Sequence, residues 1–123
     1  MPLPLWVEPG AAGRAAWPLA HVRRADRWFT RLRGLIGHPP LRAGEGLWIV
    51  PCRQVHTHFM RAPIDVVFLD RSLTVLHVLP ALAPWRVSPW VRGAHSVVEL
   101  AAGQAARLQC GDVLTAGSPG RSA

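Results

Sequence analysis

From residue 47 onward, short apolar runs alternate with turn-forming residues, and this cutting of the chain into strand-sized pieces constrains the fold more than any other feature. Leu47 to Val50 lies between Gly44-Glu45-Gly46 and Pro51, and Val55 to Met60 ends near Pro63. Ile64 to Leu69 and Leu73 to Leu79 flank Asp70-Arg71-Ser72, the turn of the best hairpin in the chain. Pro80 to Pro89 contains three prolines and reads as a loop. Ser96 to Leu100 is a further strand, Gly103 to Leu108 a single helical turn, and Gly111-Asp112 a turn into the last strand, Val113 to Ala116.

The opening of the chain adds two extended pieces, Leu3 to Val7 and Trp17 to Val22, joined by the flexible Gly10 to Gly13 connection. One segment breaks the β pattern. Trp28, Phe29, Leu32, Leu35 and Ile36 recur at helical spacing, with Arg27, Thr30, Arg31 and Arg33 on the other side. Asp26 serves as N-cap, Gly37 as the residue after the helix, and Pro39-Pro40 as the stop. The expectation is a helix over about residues 26–36, with Trp28, Leu32 and Leu35 turned to the sheet. About six to eight short strands with one helix predict a mostly β protein, a compact antiparallel β-sandwich or a partly closed barrel. A parallel βαβ fold needs a helix for each crossover, and only one is present.

At 123 residues the chain fits one domain, 1–123, whose tail from 117 is expected to be disordered. The longest stretch without Arg, Asp or Glu runs from Ser72 to Trp85, well short of the about 20 residues of a bilayer span. The first residues, Met1 to Gly10, lack the basic and apolar regions of a signal peptide, so the expected placement is cytoplasmic. Cys52 and Cys110 belong to no Cys-x-x-Cys pair, which excludes a structural zinc site of the usual spacing.

The formal net charge is +7 and every basic residue is arginine. Such a chain attracts polyanions, yet only Arg23 and Arg24 are adjacent and no basic run forms, so specific nucleic-acid binding is not expected. Trp28, Trp85 beside Arg86, and Trp90 have the chemistry to stack on single-stranded bases. Six tryptophans in a small domain are more often packing residues of the core and its rim.

The densest polar cluster runs from Cys52 to Asp65. On a strand, His56 and His58 share one face and can hold one metal ion, with Asp65, Glu99 or Cys52 needed as a third ligand. The plainer alternative leaves one histidine exposed and the other hydrogen-bonded. Cys52 and His56 can also be weighed as nucleophile and base, although nothing in the sequence supplies an oxyanion hole. Phosphate loops, His-Glu-x-x-His helices and Gly-x-Ser-x-Gly elbows are absent, so no cofactor is predicted.

Arg33-Gly34-Leu35-Ile36, Gly46-Leu47-Trp48, the block from Phe59-Met60-Arg61 through Pro63-Ile64-Asp65 to Phe68 and Asp70, Glu99 to Gly103, and Gly111-Asp112 together resemble the domain of unknown function 192 family. The similarity covers residues 22–114. It implies a mostly β fold of sandwich type with a short helix, and it brings no established activity. Where many relatives place an aromatic residue before the aromatic-Met pair, this chain has His58, which departs from any family-wide two-histidine site. Many relatives also carry an export signal, which is not seen here.

The polar positions implied by the resemblance are Arg33, Asp65, Glu99 and Asp112, each in an apolar or turn context where charge is normally paired. In one reading Arg33 pairs with Asp65 or Glu99 and pins helix to sheet. In the other these residues floor a ligand pocket, with Met60 and Trp48 as walls, for a small polar or sugar-like ligand. The function expected is therefore a non-catalytic ligand-binding or accessory module. The alternatives are a metal protein or metal-dependent enzyme centred on His56 and His58, and a weak nucleic-acid binder acting through dispersed arginines.

Overall fold

The run Ile64–Leu69 is apolar at every position except Asp65, and all six residues are buried, which makes it a strand with both faces covered. In the computed structural model, which describes residues 2–26, 41–57 and 60–117, this strand lies inside a single seven-stranded sheet. In chain order the strands are β1 (Leu3–Glu8), β2 (Trp17–Ala25), β3 (Glu45–Ile49), β4 (Ile64–Leu69), β5 (Val75–Leu82), β6 (Ser96–Ala101) and β7 (Val113–Ala116). Their order across the sheet is β5-β4-β6-β3-β2-β1-β7.

The mostly β prediction holds, and the sheet is mixed rather than purely antiparallel. β2 and β3 run parallel, with His21 opposite Glu45 and Ala25 opposite Ile49. A parallel pair needs a long crossover, and the connection here runs through the segment for which the sequence predicts a helix. That helix, like the tail beyond residue 117, lies outside the described residues. No helix among the described residues is long and apolar enough to cross a membrane.

The sheet curls until its two ends touch. Thr74, just before β5, bridges Val113 of β7, and the Val75 N–H donates to the Asp112 carbonyl at 2.7 Å while the Leu114 N–H donates to that of Leu73 at 2.9 Å. The seam is short, so the curled sheet does not close into a complete barrel, and among the described residues no second sheet is stacked on it. Inside the curl, Leu5, Val7, Val22, Val67, Val98, Leu100 and Leu114 form the larger core. Fully burying each such side chain contributes about 1.5–3 kcal/mol.

The outer face of β4 and β6 carries a second core of Ile64, Val66, Phe68 and Val97, covered by Val55, Met60 and Ala94 from the loops. Two sequence-derived boundaries shift here. The described residues of the Val55 to Met60 run form no strand: their only β pairing is the bridge from His56 to Val87. β5 continues through Pro80 to Leu82, because it is an edge strand and Pro80 falls where its register with β4 slips.

Candidate functional site

Register settles where the predicted site residues point. Asp65 stands opposite Leu100, whose side chain is in the inner core, and Val66 stands opposite Glu99, next to the outer core. Cross-strand partners share a face, so Asp65 faces inward and Glu99 outward. Met60 lies in the outer core, whereas half-buried Trp48 packs against the inner one with the Arg24 guanidinium 5.4 Å from its ring centroid. Asp112 sits at the turn before β7. These five residues do not line one cavity, and Arg33 lies outside the described residues, as does His58.

Asp65 and Asp112, both buried, hold loops. Asp65 accepts three backbone N–H groups, from Ala81 at 2.9 Å, Gly103 at 2.9 Å and Ala105 at 2.8 Å. These donors offset its desolvation, a task the sequence assigned to an arginine. Asp112 accepts the N–H groups of Gly10 and Gln109, each at 3.0 Å, and lies 3.3 Å from the Arg14 guanidinium. It thereby fastens the β1–β2 connection to the turn before β7.

The two-histidine metal reading rests on His58, which lies outside the described residues. Among the described residues no group of three or more His, Cys, Asp or Glu is placed to hold a metal ion. The Cys52 thiol donates to the Gln54 carbonyl at 3.1 Å, and the Cys110 thiol to that of Leu76 at 3.3 Å, so the two cysteines are not bridged.

A ribbon made from two loops, residues 53–57 and 83–91, is laid over the outer core. The Val91 N–H donates to the Arg53 carbonyl at 3.0 Å, that of Ser88 to Val55 at 2.8 Å and that of Thr57 to Arg86 at 2.8 Å. Two buried hydroxyls lock the loops together. Ser88 Oγ accepts the Val55 N–H at 2.9 Å, and Thr57 Oγ1 accepts the Arg86 N–H at 2.8 Å while donating to the Ala83 carbonyl at 2.6 Å.

On this ribbon Trp85, Val87 and Trp90 are 58%, 56% and 63% exposed. Arg86 is exposed beside them, and the exposed Arg53 lies 5.9 Å from the Trp90 ring centroid. Trp85 is held at φ 63°, a region that bulky side chains rarely enter and that costs about 1–3 kcal/mol. Its N–H donates to the Thr57 carbonyl at 3.1 Å. Asp65 also holds Ala81, which takes φ 48° near the end of β5 where the register with β4 slips.

Sequence patterns raised Trp85 and Trp90 as stacking residues and then favoured packing roles, which their exposure corrects. Thr57 and Ser88 went unnoticed, since a hydroxyl that closes a loop has no periodicity. The one available signal was for Ser88, which sits within the proline- and tryptophan-rich stretch from Pro84 to Trp90.

The chain matches the model of the DUF192 family, described as "Uncharacterized ACR", over residues 12–116. It is 34% identical over 87 residues to a UPF0127 protein of Thermococcus sibiricus, an alignment covering 67% of this chain and 55% of that relative. The chain thus spans little more than half of the relative's length. A protein of unknown function from Novosphingobium aromaticivorans has a similar crystal structure, with a TM-score of 0.73 and 21% identity over 93% of this chain and 84% of the other. So does a Sinorhizobium meliloti protein described provisionally as a transcription regulator, with a TM-score of 0.77 and 18% identity over 94% of both chains. At these identities the likeness shows the fold alone.

Proposed function

This chain belongs to the DUF192 family, whose function is unknown, and on that premise we propose that it is a non-catalytic binding module whose ligand lies on the 53–57 and 83–91 ribbon. The observation that carries this reading is the exposure of Trp85, Val87 and Trp90 together on a hydrogen-bonded support. Apolar side chains grouped in water are costly unless they are used, and indole faces suit flat rings and the apolar faces of sugars. A fixed backbone lowers the entropy lost when a ligand docks. The cytoplasmic placement remains part of this proposal.

Intrinsic tryptophan fluorescence tests it, with adenosine monophosphate and maltose as probes. Saturable quenching by either at millimolar concentration, lost in Trp90→Ala and weakened in Trp85→Ala, supports the reading. Silence with both probes removes it.

The arginines beside the ribbon favour a second occupant, a single-stranded nucleic acid, and the formal net charge of +7 acts in the same direction. An oligothymidylate whose affinity falls steeply with salt would place phosphate contacts ahead of small-ligand binding.

A further inference from the structure

Beside the ribbon the surface opens into a shallow depression of about 330 Å³, lined by Arg53, Asp70, Arg71, Ser72, Gly93 and His95 among others. Its charges are set by three side chains. Arg53 uses Nε on the Ala94 carbonyl at 3.1 Å, which fixes the guanidinium plane and leaves its two terminal nitrogens for other partners. Arg71 projects from the turn between β4 and β5 and is exposed. Among the described residues neither arginine forms an ion pair with a carboxylate.

The acid in the wall, Asp70, is turned to its own loop. Its Oδ1 accepts the N–H groups of Ser72 at 2.8 Å and Thr74 at 3.0 Å. His95 stands on a backbone held from both sides, its N–H donating to Leu69 at 2.7 Å and its carbonyl accepting from Cys52 at 2.9 Å. Gly93, at φ 84°, contributes no side chain to fill the space.

We propose that this depression is a phosphate-group site, and that the ligand of the ribbon is a phosphorylated ring compound whose phosphate enters here while its ring lies against Trp90. Two arginines from separate loops line one opening with Ser72 and His95, a donor-rich set suited to a tetrahedral oxyanion, and the Asp70 carboxylate in the same wall is engaged by its own loop. Arg53 joins the two halves, because it lines the depression and also lies over the Trp90 ring. The ring half of the assignment rests on the ribbon reading; the phosphate half stands on the depression alone.

The test titrates the full chain, labelled with nitrogen-15, with inorganic phosphate, ribose 5-phosphate and adenosine monophosphate at constant ionic strength. Phosphate alone is expected to shift the amide signals of Ser72, Gly93 and His95. Adenosine monophosphate should bind about tenfold tighter than ribose 5-phosphate, and Trp90→Ala should erase that difference. Arg71→Gln, at an exposed turn position, should weaken all three by about tenfold without altering the thermal midpoint, and Arg53→Gln should do likewise for phosphate.

If phosphate shifts these signals but adenosine monophosphate binds no better than ribose 5-phosphate, the phosphate site holds and the ring placement falls. If adenosine monophosphate binds through Trp90 while phosphate is silent and Arg71→Gln changes nothing, the phosphate site is overturned and the ribbon reading survives. Silence with all three overturns both.

Discussion

Asp65 and Glu99 lie on neighbouring strands and face opposite sides of the sheet, because the register sets Asp65 against Leu100 and Val66 against Glu99. Two carboxylates separated by a sheet cannot act on one substrate or hold one ion. Their conditions also differ: Asp65 is wrapped in backbone donors on the inner face, and Glu99 borders the outer core. One shared acidic site is accordingly not formed by these two residues. The proposed binding surface is the ribbon on the outer side of the sheet.

Asp65→Asn is expected to destabilise the protein by about 2–4 kcal/mol, although the side chain changes little in size. An amide supplies one acceptor oxygen, so its NH2 group must face a donor from Ala81, Gly103 or Ala105. Urea denaturation checks this through a lower midpoint at unchanged slope. A loss under about 0.5 kcal/mol, the range of ordinary surface positions, would show that the three donors are satisfied without the charge.

Gly46→Ala tests the close approach of β3 to its neighbours. A methyl group there would stand 2.7 Å from Leu100 Cδ2, 2.9 Å from the Glu99 carbonyl oxygen and 3.0 Å from Val22 Cγ1. Leucine and valine side chains can shift, but a carbonyl inside a ladder cannot, so a cost of about 1–3 kcal/mol is expected. Thermal unfolding reads it directly, and an unchanged midpoint would mean that β3 and β6 separate more easily than their pairing suggests.

The strands were legible where burial alone decides conformation. Ile64 to Leu69 and Val113 to Ala116 were placed with their observed limits, and Ser96 to Leu100 within one residue. Reading failed where tertiary contacts decide. The stretch from Val55 resembles a strand in composition, but its pairing is made with residues 83–91 across a loop, which alternation cannot foresee. The parallel β2–β3 pair was hidden for a similar reason, since antiparallel order follows from short turns and the connection here is long. Burial of Asp65 and Asp112 was anticipated from their apolar and turn surroundings, whereas their principal donors were not: backbone N–H groups leave no mark in a sequence.

Arg14 and Asp112 should differ sharply as mutation sites despite forming one ion pair. Asp112→Ala removes the acceptor of two backbone N–H groups at a buried position, for an expected loss of about 2–4 kcal/mol. Arg14→Ala removes a partly exposed cation that also reaches the Gln109 side chain at 3.1 Å and the Arg107 carbonyl at 2.9 Å, for about 0–1 kcal/mol. Equal losses in chemical denaturation would mean that the ion pair, rather than the loop clamp, is the source of stability.

Thr57→Val separates the stability of the fold from the order of the ribbon. Valine keeps the shape of the buried threonine while leaving the Arg86 N–H and the Ala83 carbonyl without their shared hydroxyl. The global cost should be about 1–3 kcal/mol, the price of two unsatisfied backbone groups at the edge of the core. The local consequence is the sharper measure, because Trp85 at φ 63° depends on the same residue through its N–H bond to the Thr57 carbonyl. Once the turn loosens, Trp85 is expected to relax toward ordinary backbone angles and the amides of Arg86 and Ser88 to exchange with solvent faster, while those of β4 and β6 keep most of their protection. Probe binding should then weaken even under conditions where the variant remains fully folded. Should the variant hold its exchange pattern across residues 83–91 and still bind, the hydroxyl would be a packing detail and the support for a preorganised ribbon would be lost.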